Sequence, residues 1–171
     1  DRVALAHERM DSLISDLLTL ARDGRRVEAT RDLSVRAVAT SVWEIVDTDA
    51  ATLETDLGEL RIAADEPRLS QLLQNLLSNA VAHGAADATG DDAGATVRIG
   101  ALDDESGFYV EDDGPGIPAE EREQVFEHGY STTSEGTGFG LSIVRSIAKA
   151  HGWAVRADES AAGGARFEVL V

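Results

Sequence analysis

The sequence predicts an α+β fold, a two-layer sandwich in which a mixed, mostly antiparallel sheet carries helices on one face and one long helix precedes it. Helix-like and strand-like segments are mixed along the 171 residues without strict alternation, which favours α+β over α/β architecture. The segments TVRIGAL and GFYVEDD alternate in polarity and are joined by the short turn DDESG, as antiparallel strands are. A hydrophobic content of 43% supports a packed core rather than a disordered chain.

The first 22 residues predict the leading helix. Apolar side chains recur there in steps of three and four, typical of the seam of a packed helix, at Val3, Ala6, Met10, Leu13, Leu17 and Leu20. Such a stripe needs a partner, and two remain open: the helix's own domain, or a helical hairpin or bundle formed with another chain. The polar segment DGRRVEATRD ends the pattern and predicts a linker.

The remaining elements follow from pattern and turn residues. Asp65 is a suitable N-cap for a long helix with Pro67 in its first turn. The expected helices are residues 33–46, 65–83, 118–125 and 140–150. ATLETDL and LRIAAD predict two short strands, and WAVRAD and ARFEVLV predict a closing hairpin. The segment AADATGDDAGA predicts an acidic loop.

The charge balance excludes some classes of function. The chain has 32 acidic and 15 basic residues and a formal net charge of −17, and such a surface repels DNA and anionic membranes. We therefore expect no nucleic-acid partner and no direct membrane contact. Lys149 is the only lysine, and an acidic chain poor in lysine resembles the proteins of extreme halophiles, which we take as its origin.

Further features bear on the cellular setting. The chain has no cysteine, which excludes disulfides and thiolate metal sites. It has no apolar run long enough to span a bilayer, and it begins at Asp1 rather than at a methionine. We expect a cytoplasmic segment of a longer protein, whose other parts could anchor it to a membrane.

Three alternate glycines, Gly136, Gly138 and Gly140, stand directly before an amphipathic helical pattern. They do not form a P-loop, because Leu141 follows where Lys is needed, and a dinucleotide fingerprint needs its third glycine one place later. Glycines at a helix start leave unpaired N–H groups accessible to a phosphate. Taken alone, this pattern is more often a turn than a phosphate site.

The long helix carries a stripe of polar side chains opposite its leucines. Asn75, Asn79 and His83 recur every four residues and share one face. Amide oxygens are suitable ligands for Mg²⁺, which keeps several waters and takes few protein ligands. An exposed polar face is the other interpretation, and the stripe alone does not decide between them.

The segment VEDDGPGIP ends a predicted strand in acidic residues. A buried Asp112 could accept the exocyclic amine of adenine, Gly116 would leave room for the flat base, and Ile117 would supply an apolar wall. The same residues also suit an ordinary tight turn, in which Gly and Pro supply the backbone angles.

The combination of motifs is specific. NLLSNAVAH, DDGPGI, VFEHGYST and GTGFGL occur in order and resemble the N, G1, F and G2 boxes of sensor histidine kinases. These kinases share a superfamily with gyrase B, the Hsp90 chaperones and the mismatch-repair ATPases. The resemblance covers residues 33–171, and the leading helix looks like the second helix of the kinases' dimerisation hairpin. It implies an incomplete hairpin over residues 1–24, a linker over 25–32 and an ATP-binding catalytic domain over 33–171.

The resemblance also implies roles for particular residues. Asn79 corresponds to the asparagine that ligates Mg²⁺ on the ATP phosphates, and Asp112 to the aspartate that reads adenine. The segment 119–135 corresponds to a mobile ATP lid, in which Phe126, Tyr130 and Ser131 form the F box. The implied nucleotide-binding residues are Asn75, Asn79, His83, Asp112, Gly114, Gly116, Ile117, Tyr130, Ser131, Thr132, Gly136, Thr137, Gly138, Phe139, Gly140 and Leu141.

Two positions depart from the kinase pattern. Ala82 stands where many kinases have Lys or Arg, so we expect His83 to contact phosphate instead. Gln71 stands where many relatives have Glu. Neither departure predicts an inactive site.

The expected acceptor histidine is missing. His7 in AHERMDS lacks the proline that follows an acceptor, and it lies in what looks like the second hairpin helix. We therefore expect the chain to bind ATP and Mg²⁺ without completing autophosphorylation, with the acceptor upstream of Asp1. The resemblance implies transfer of the ATP γ-phosphate to that histidine and relay to the receiver domain of a response regulator. It also implies a homodimer through the hairpin of the full-length protein.

Three alternatives stay open at this point. A serine kinase of the anti-sigma type has the same fold and an NAxxHG element, although the F box and the attached helix count against it. An ATPase switch would need a carboxylate base in the long helix, where Gln71 is a poor substitute. A structural helical-dimer module would carry a degenerate nucleotide site.

Overall fold

The computed structural model describes residues 27, 29–46, 48, 51–84, 94–104, 106–127, 130 and 138–171, together with Met10, Ile14 and Leu18. The strands in these ranges are β1 (Arg31–Ser34), β2 (Thr52–Asp56), β3 (Arg61–Ala64), β4 (Thr96–Ala101), β5 (Gly107–Asp112), β6 (Ala154–Glu159) and β7 (Ala165–Leu170). The helices are α1 (Val35–Trp43), α2 (Glu66–Gly84) and α3 (Gly140–His151), with a 3₁₀ turn at Gln124–Phe126.

The strands form two sheets. The larger has the order β2-β4-β5-β7-β6, in which β2 runs parallel to β4 and all other neighbours are antiparallel. The smaller pairs β1 with β3 in antiparallel register. The predicted α+β class with a mixed, mostly antiparallel sheet is therefore confirmed.

The two faces of the larger sheet differ sharply in chemistry. On one face, alternate side chains of the central strands are buried and join one core with leucines of α2 and aliphatic residues of α3. On the other face, an ion-pair ladder crosses the strands, in which Arg98 bonds Glu54 and Glu111, and Arg166 bonds Glu111 and Glu168. The described helices contribute their apolar side chains to the core on the first face, whereas the arginines of the ladder stay partly exposed to water.

The long helix α2 forms for the reasons the sequence indicated. The Asp65 carboxylate accepts the N–H of Arg68 at 3.0 Å and caps the helix. Five leucines on one side are fully buried: Leu69, Leu72, Leu73, Leu76 and Leu77. Their burial leaves the predicted polar stripe on the opposite side, towards the site.

Two expectations about local structure were wrong. The helix expected from residue 33 begins at Val35, because Arg31–Ser34 pair with β3 as a strand and Ser34 caps the helix by accepting the N–H of Ala37. The helix expected over 118–125 is a series of turns that ends in the 3₁₀ turn Gln124–Phe126. Both are short segments whose form depends on tertiary pairing and packing.

The leading helix lies almost wholly outside the described residues. Met10, Ile14 and Leu18 are helical and more than half exposed. The helix over residues 1–22 and its hairpin pairing therefore stay predictions. No helix within the described ranges is long and apolar enough to cross a membrane.

Candidate functional site

Asp112, the last residue of β5, is the buried acid at the centre of the candidate site. Asp112 is only 3% exposed to solvent. One carboxylate oxygen, Oδ1, accepts the N–H groups of Gly114 and Ala165, each at 3.0 Å. The other, Oδ2, is buried and has no hydrogen-bond partner among the described residues. A buried oxygen in this state is typical of a ligand-binding carboxylate.

The electrostatics of Asp112 follow from this position. Burial raises the pKa of the carboxyl group, because the charged form is poorly solvated. The two backbone hydrogen bonds and the nearby His83 act in the opposite direction, but burial is the larger effect, and the negative charge of Asp113 adds to it. A donor on a bound ligand would favour the ionised carboxylate again.

The turn between β6 and β7 lies directly against this acid. The Ser160 hydroxyl donates to the backbone oxygen of Asp112 at 2.8 Å and accepts the N–H of Gly164 at 2.9 Å. A Cβ atom on Gly164 would lie 2.1 Å from that backbone oxygen and 2.5 Å from Oδ1. Only glycine therefore allows the turn to approach so closely.

The loop after Asp112 continues this close packing. Gly116 has a φ of +75°, and a Cβ atom there would lie 2.6 Å from the backbone oxygen of Gly163. Gly114 lies under the end of α2, where a Cβ atom would approach the backbone oxygen of His83 to 2.6 Å. Ile117 is partly buried against the core, as the predicted apolar wall requires.

The polar stripe of α2 faces the same region. Asn75, Asn79 and His83 are each half-buried. A Cβ atom on Gly140 would lie 3.5 Å from Asn75 Oδ1, so the start of α3 lies beside the stripe. His83 is near enough to influence the pKa of Asp112. The structure thus brings together the predicted amide stripe, the predicted acid and the last of the three glycines.

The N-terminus of α3 is built to receive a negative group. Phe139 occupies the N-cap position, and its hydrocarbon side chain cannot satisfy the first-turn N–H groups. Gly138 has a φ of +71°, which turns the chain into the helix. Among the described residues no side-chain cap hydrogen bond occupies this end, and the helix dipole favours an anion there. Leu141 is partly buried against the core.

The segment between Asp112 and α3 is fastened near its beginning. Arg122 donates to the backbone oxygen of Ile117 at 3.1 Å and pairs with Asp158 at 2.7 Å and Glu159 at 3.4 Å. Tyr130 donates a hydrogen bond to Glu121, which raises the pKa of the phenol.

Aromatic packing fastens the same segment from inside. The Phe126 ring packs edge-on against Phe167, with centroids 6.1 Å apart. The predicted site residues Ser131, Thr132, Gly136 and Thr137 lie outside the described residues, so their roles stay predictions.

The described residues also limit how a metal could be held. Within them, no group of three or more His, Asp or Glu side chains could bind a metal ion. The Asn79 amide oxygen suits Mg²⁺, but one amide leaves most of the octahedral sphere to other oxygens. The side chains present therefore fit an ion that arrives with a phosphate ligand and its waters.

Sequence reasoning missed the β6–β7 turn as part of the site. The turn residues that contact Asp112 lie about fifty residues after it in the chain: Ser160, Gly164 and Ala165. They reach Asp112 because β5 pairs with β7. The adjacent pair Gly163 and Gly164 before a strand was the available signal, since paired glycines there indicate a close backbone approach.

Comparisons with known proteins agree with this geometry. The family model described as "Histidine kinase-, DNA gyrase B-, and HSP90-like ATPase" matches residues 64–171. The sensor histidine kinase ZraS of Escherichia coli O157:H7 is 31% identical in an alignment 170 positions long, which covers 94% of this chain and 35% of that protein. The sensor histidine kinase CpxA of Escherichia coli K12 is 29% identical in an alignment 188 positions long, which covers 99% of this chain and 38% of that protein. The chain thus spans little more than a third of these relatives.

Solved structures show the same fold. Full-length ShkA, in complex with AMPPNP, superposes with a TM-score of 0.73 at 28% identity, over 96% of this chain and 36% of that one.

Proposed function

Because the chain belongs to the histidine kinase-, gyrase B- and HSP90-like ATPase family, we propose that it is the ATP-binding catalytic part of a two-component sensor histidine kinase. The two similar proteins named above, ZraS and CpxA, are sensor histidine kinases. The proposal assigns residues 33–171 to the catalytic domain, 25–32 to a linker and 1–24 to one helix of a dimerisation hairpin.

The observation that carries the proposal is the buried Asp112 Oδ2, which has no hydrogen-bond partner in the part of the chain that the structure describes. With Oδ1 held by two backbone N–H groups, Oδ2 is the remaining acceptor in a buried environment. The exocyclic amine of adenine is a donor of the right kind, and it would satisfy an oxygen that is costly to leave unpaired. Ile117, which is partly buried against the core, would supply an apolar surface for the base.

The phosphates would extend from the base towards α3. The N-terminus of α3, where the N-cap Phe139 makes no side-chain cap hydrogen bond and Gly138 and Gly140 stand beside it, suits the anionic end of the nucleotide. Asn79 would hold a Mg²⁺ ion between the phosphates, with Asn75 lining the same space, and such an ion neutralises charge that develops on the transferred group. His83 would supply a contact to phosphate in place of the Lys or Arg absent at Ala82.

The segment 119–135 would act as a lid over the nucleotide. Its first part is tied to the body of the domain through Arg122 and through the buried Phe126. Closure of such a segment excludes water and completes a phosphoryl-transfer site. The residues expected to contact nucleotide there include Ser131, Thr132, Gly136 and Thr137.

The acceptor of the γ-phosphoryl group would be a histidine upstream of Asp1. Among the four histidines of the chain, His151 has both ring nitrogens in hydrogen-bond contact within the fold, and His83 lies beside Asp112. The phosphoryl group would leave the β-phosphate of ATP for an imidazole nitrogen, with this domain supplying position and charge neutralisation. Relay to a response regulator, homodimerisation through the hairpin and a cytoplasmic setting complete the proposal.

The strongly acidic, lysine-poor composition bears on the salt concentration at which ATP binding should be tested. We propose a halophilic origin, in which molar salt screens the net charge of −17. Binding should therefore be measured in molar KCl.

Calorimetric titration with Mg·ATP tests the site directly. We expect saturable binding to the unmodified chain and none to Asp112→Asn. The matched control is Asp113→Asn, which removes the same charge one residue along the chain, from an exposed side chain that accepts the N–H of Thr96. Absence of ATP binding to the folded, unmodified chain would refute the proposal.

A labelled γ-phosphate then separates the kinase from the alternatives. With the full-length protein, we expect label on protein that is lost in acid, as a phosphohistidine is. Acid-stable label would indicate a serine kinase, and free phosphate alone would indicate an ATPase switch. Neither alternative is favoured by the relatives, which are sensor histidine kinases.

A further inference from the structure

The β6–β7 turn (residues 160–164) is a closed, rigid unit. Ser160 donates its N–H to the backbone oxygen of Gly164 at 2.8 Å, and Gly163 donates to the backbone oxygen of Ser160 at 2.9 Å. Ser160 itself is only 5% exposed. Two backbone hydrogen bonds thus close the turn at the place where it packs against the end of β5.

The Ser160 hydroxyl joins this turn to Asp112. It donates to the Asp112 backbone oxygen and accepts the N–H of Gly164, so it makes one hydrogen bond in each direction. Removing it would leave a buried acceptor and a buried donor without this partner, in a place with little access for water.

The same turn delivers the N–H that orients the Asp112 side chain. Ala165 follows the turn directly and donates to Oδ1 at 3.0 Å. Since Gly114 donates to the same atom, the carboxylate is held from two sides by Oδ1 alone. A shift of the turn would release one of these bonds and let the carboxylate rotate.

We propose that Ser160 is a positioning residue for recognition of the nucleotide base: by fixing the β6–β7 turn on Asp112, its hydroxyl keeps Oδ2 directed at the exocyclic amine of adenine. Ser160 does not touch the base itself. The inference rests on the proposed binding of ATP by Asp112, and it adds the residue that sets the precision of that contact.

A positioning role and a merely structural role differ in one measurable quantity. Inosine triphosphate has the same ribose and phosphates as ATP but lacks the exocyclic amine. If Ser160 acts through Asp112, its loss weakens ATP binding and leaves the binding of inosine triphosphate unchanged. If Ser160 only stabilises the fold, both nucleotides are affected alike.

The experiment measures dissociation constants for both nucleotides by calorimetry, with Mg²⁺ in molar KCl, on the unmodified chain and on Ser160→Ala. We expect the unmodified chain to prefer ATP by about tenfold or more, as sites built around a hydrogen bond do. In Ser160→Ala we expect ATP affinity to fall about three- to tenfold, the effect of one hydrogen bond, with inosine triphosphate unchanged. Ser34→Ala, which removes the α1 N-cap, controls for lost stability.

The outcomes separate this inference from the proposed function. A reduced preference for ATP in Ser160→Ala, with the control unchanged, supports the inference. A preference equal to that of the unmodified chain overturns the inference and leaves ATP binding intact. Failure of the unmodified chain to bind either nucleotide overturns both. If Ser160→Ala does not fold, Ser160→Cys gives the same comparison, because a thiol is similar in size and a weak hydrogen-bond donor.

Discussion

His151 Nε2 accepts a hydrogen bond from the backbone N–H of Asp65 at 3.0 Å, across 86 residues of sequence. The other ring nitrogen, Nδ1, lies 2.8 Å from the backbone oxygen of Ile147, to which it donates. The ring also stacks on Trp153, with centroids 4.2 Å apart. One side chain thus joins the end of α3 to the start of α2, the two helices that carry the residues proposed to face the phosphates.

Replacement of His151 tests this link. We expect His151→Ala to lower the free energy of unfolding by about 2 kcal/mol, because two partly buried hydrogen bonds and a ring contact are lost. Denaturant titration measures the change. His151→Phe keeps a ring beside Trp153 without the hydrogen bonds, so it should recover only part of the loss. Equal stability of the unmodified and Ala forms would contradict the assignment.

The raised pKa of Asp112 predicts a pH dependence of stability. A carboxyl group whose pKa is higher in the folded chain contributes stability below the unfolded pKa of about 3.9, and loses it as pH rises through the folded pKa. Each unit of difference corresponds to about 1.4 kcal/mol. Relative to Asp112→Asn, the nucleotide-free chain should therefore become less stable as pH rises across this window.

Thermal or denaturant unfolding of both forms from pH 3.5 to 7 measures that difference. Asp103→Asn, at an exposed position in the turn between β4 and β5, serves as the control for loss of one negative charge, because the charge of Asp113 itself raises the pKa of Asp112. A stability difference between the unmodified chain and Asp112→Asn that is constant with pH would contradict a raised pKa.

Gly164 and Gly163 form a matched pair. A Cβ atom on Gly164 would collide with Asp112, whereas one on Gly163 meets no atom within 4 Å, although its φ of +87° disfavours any side chain. We expect Gly164→Ala to weaken ATP binding at least about tenfold by displacing the carboxylate. Gly163→Ala should lose about 1 kcal/mol of stability from backbone strain and bind ATP almost normally. Similar ATP affinities in the two variants would refute the steric argument.

Arg122 fastens the proposed lid to β6. We expect Arg122→Ala to weaken ATP binding a few-fold and to speed proteolytic cleavage within 119–135, because contacts to Ile117, Asp158 and Glu159 are lost together. Arg36→Ala removes another arginine that bonds a backbone oxygen, that of Gly58, and should leave both quantities unchanged. Unaltered cleavage in Arg122→Ala would show that this anchor does not control the segment.

The sequence by itself determined the features that depend on local order along the chain. The leucine repeat and the Asp65 cap specify α2 with its amide stripe, and helical periodicity after Gly140 specifies α3. Alternation specifies β4 and β5, and the segments WAVRAD and ARFEVLV specify the closing hairpin of β6 and β7. The four ordered motifs specify the family, because each motif is contiguous and its residues are read without knowledge of the fold.

Only the tertiary structure decided which distant groups meet. The strand Arg31–Ser34 forms because it pairs with β3. The segment before Gln124 forms turns rather than the predicted helix, because its shape depends on the packing of Phe126. Most of all, the partners of Asp112 come from a turn brought close by the pairing of β5 with β7. Backbone N–H groups and a serine hydroxyl carry no pattern of their own along the sequence, so their role at Asp112 becomes visible only once the sheet has formed.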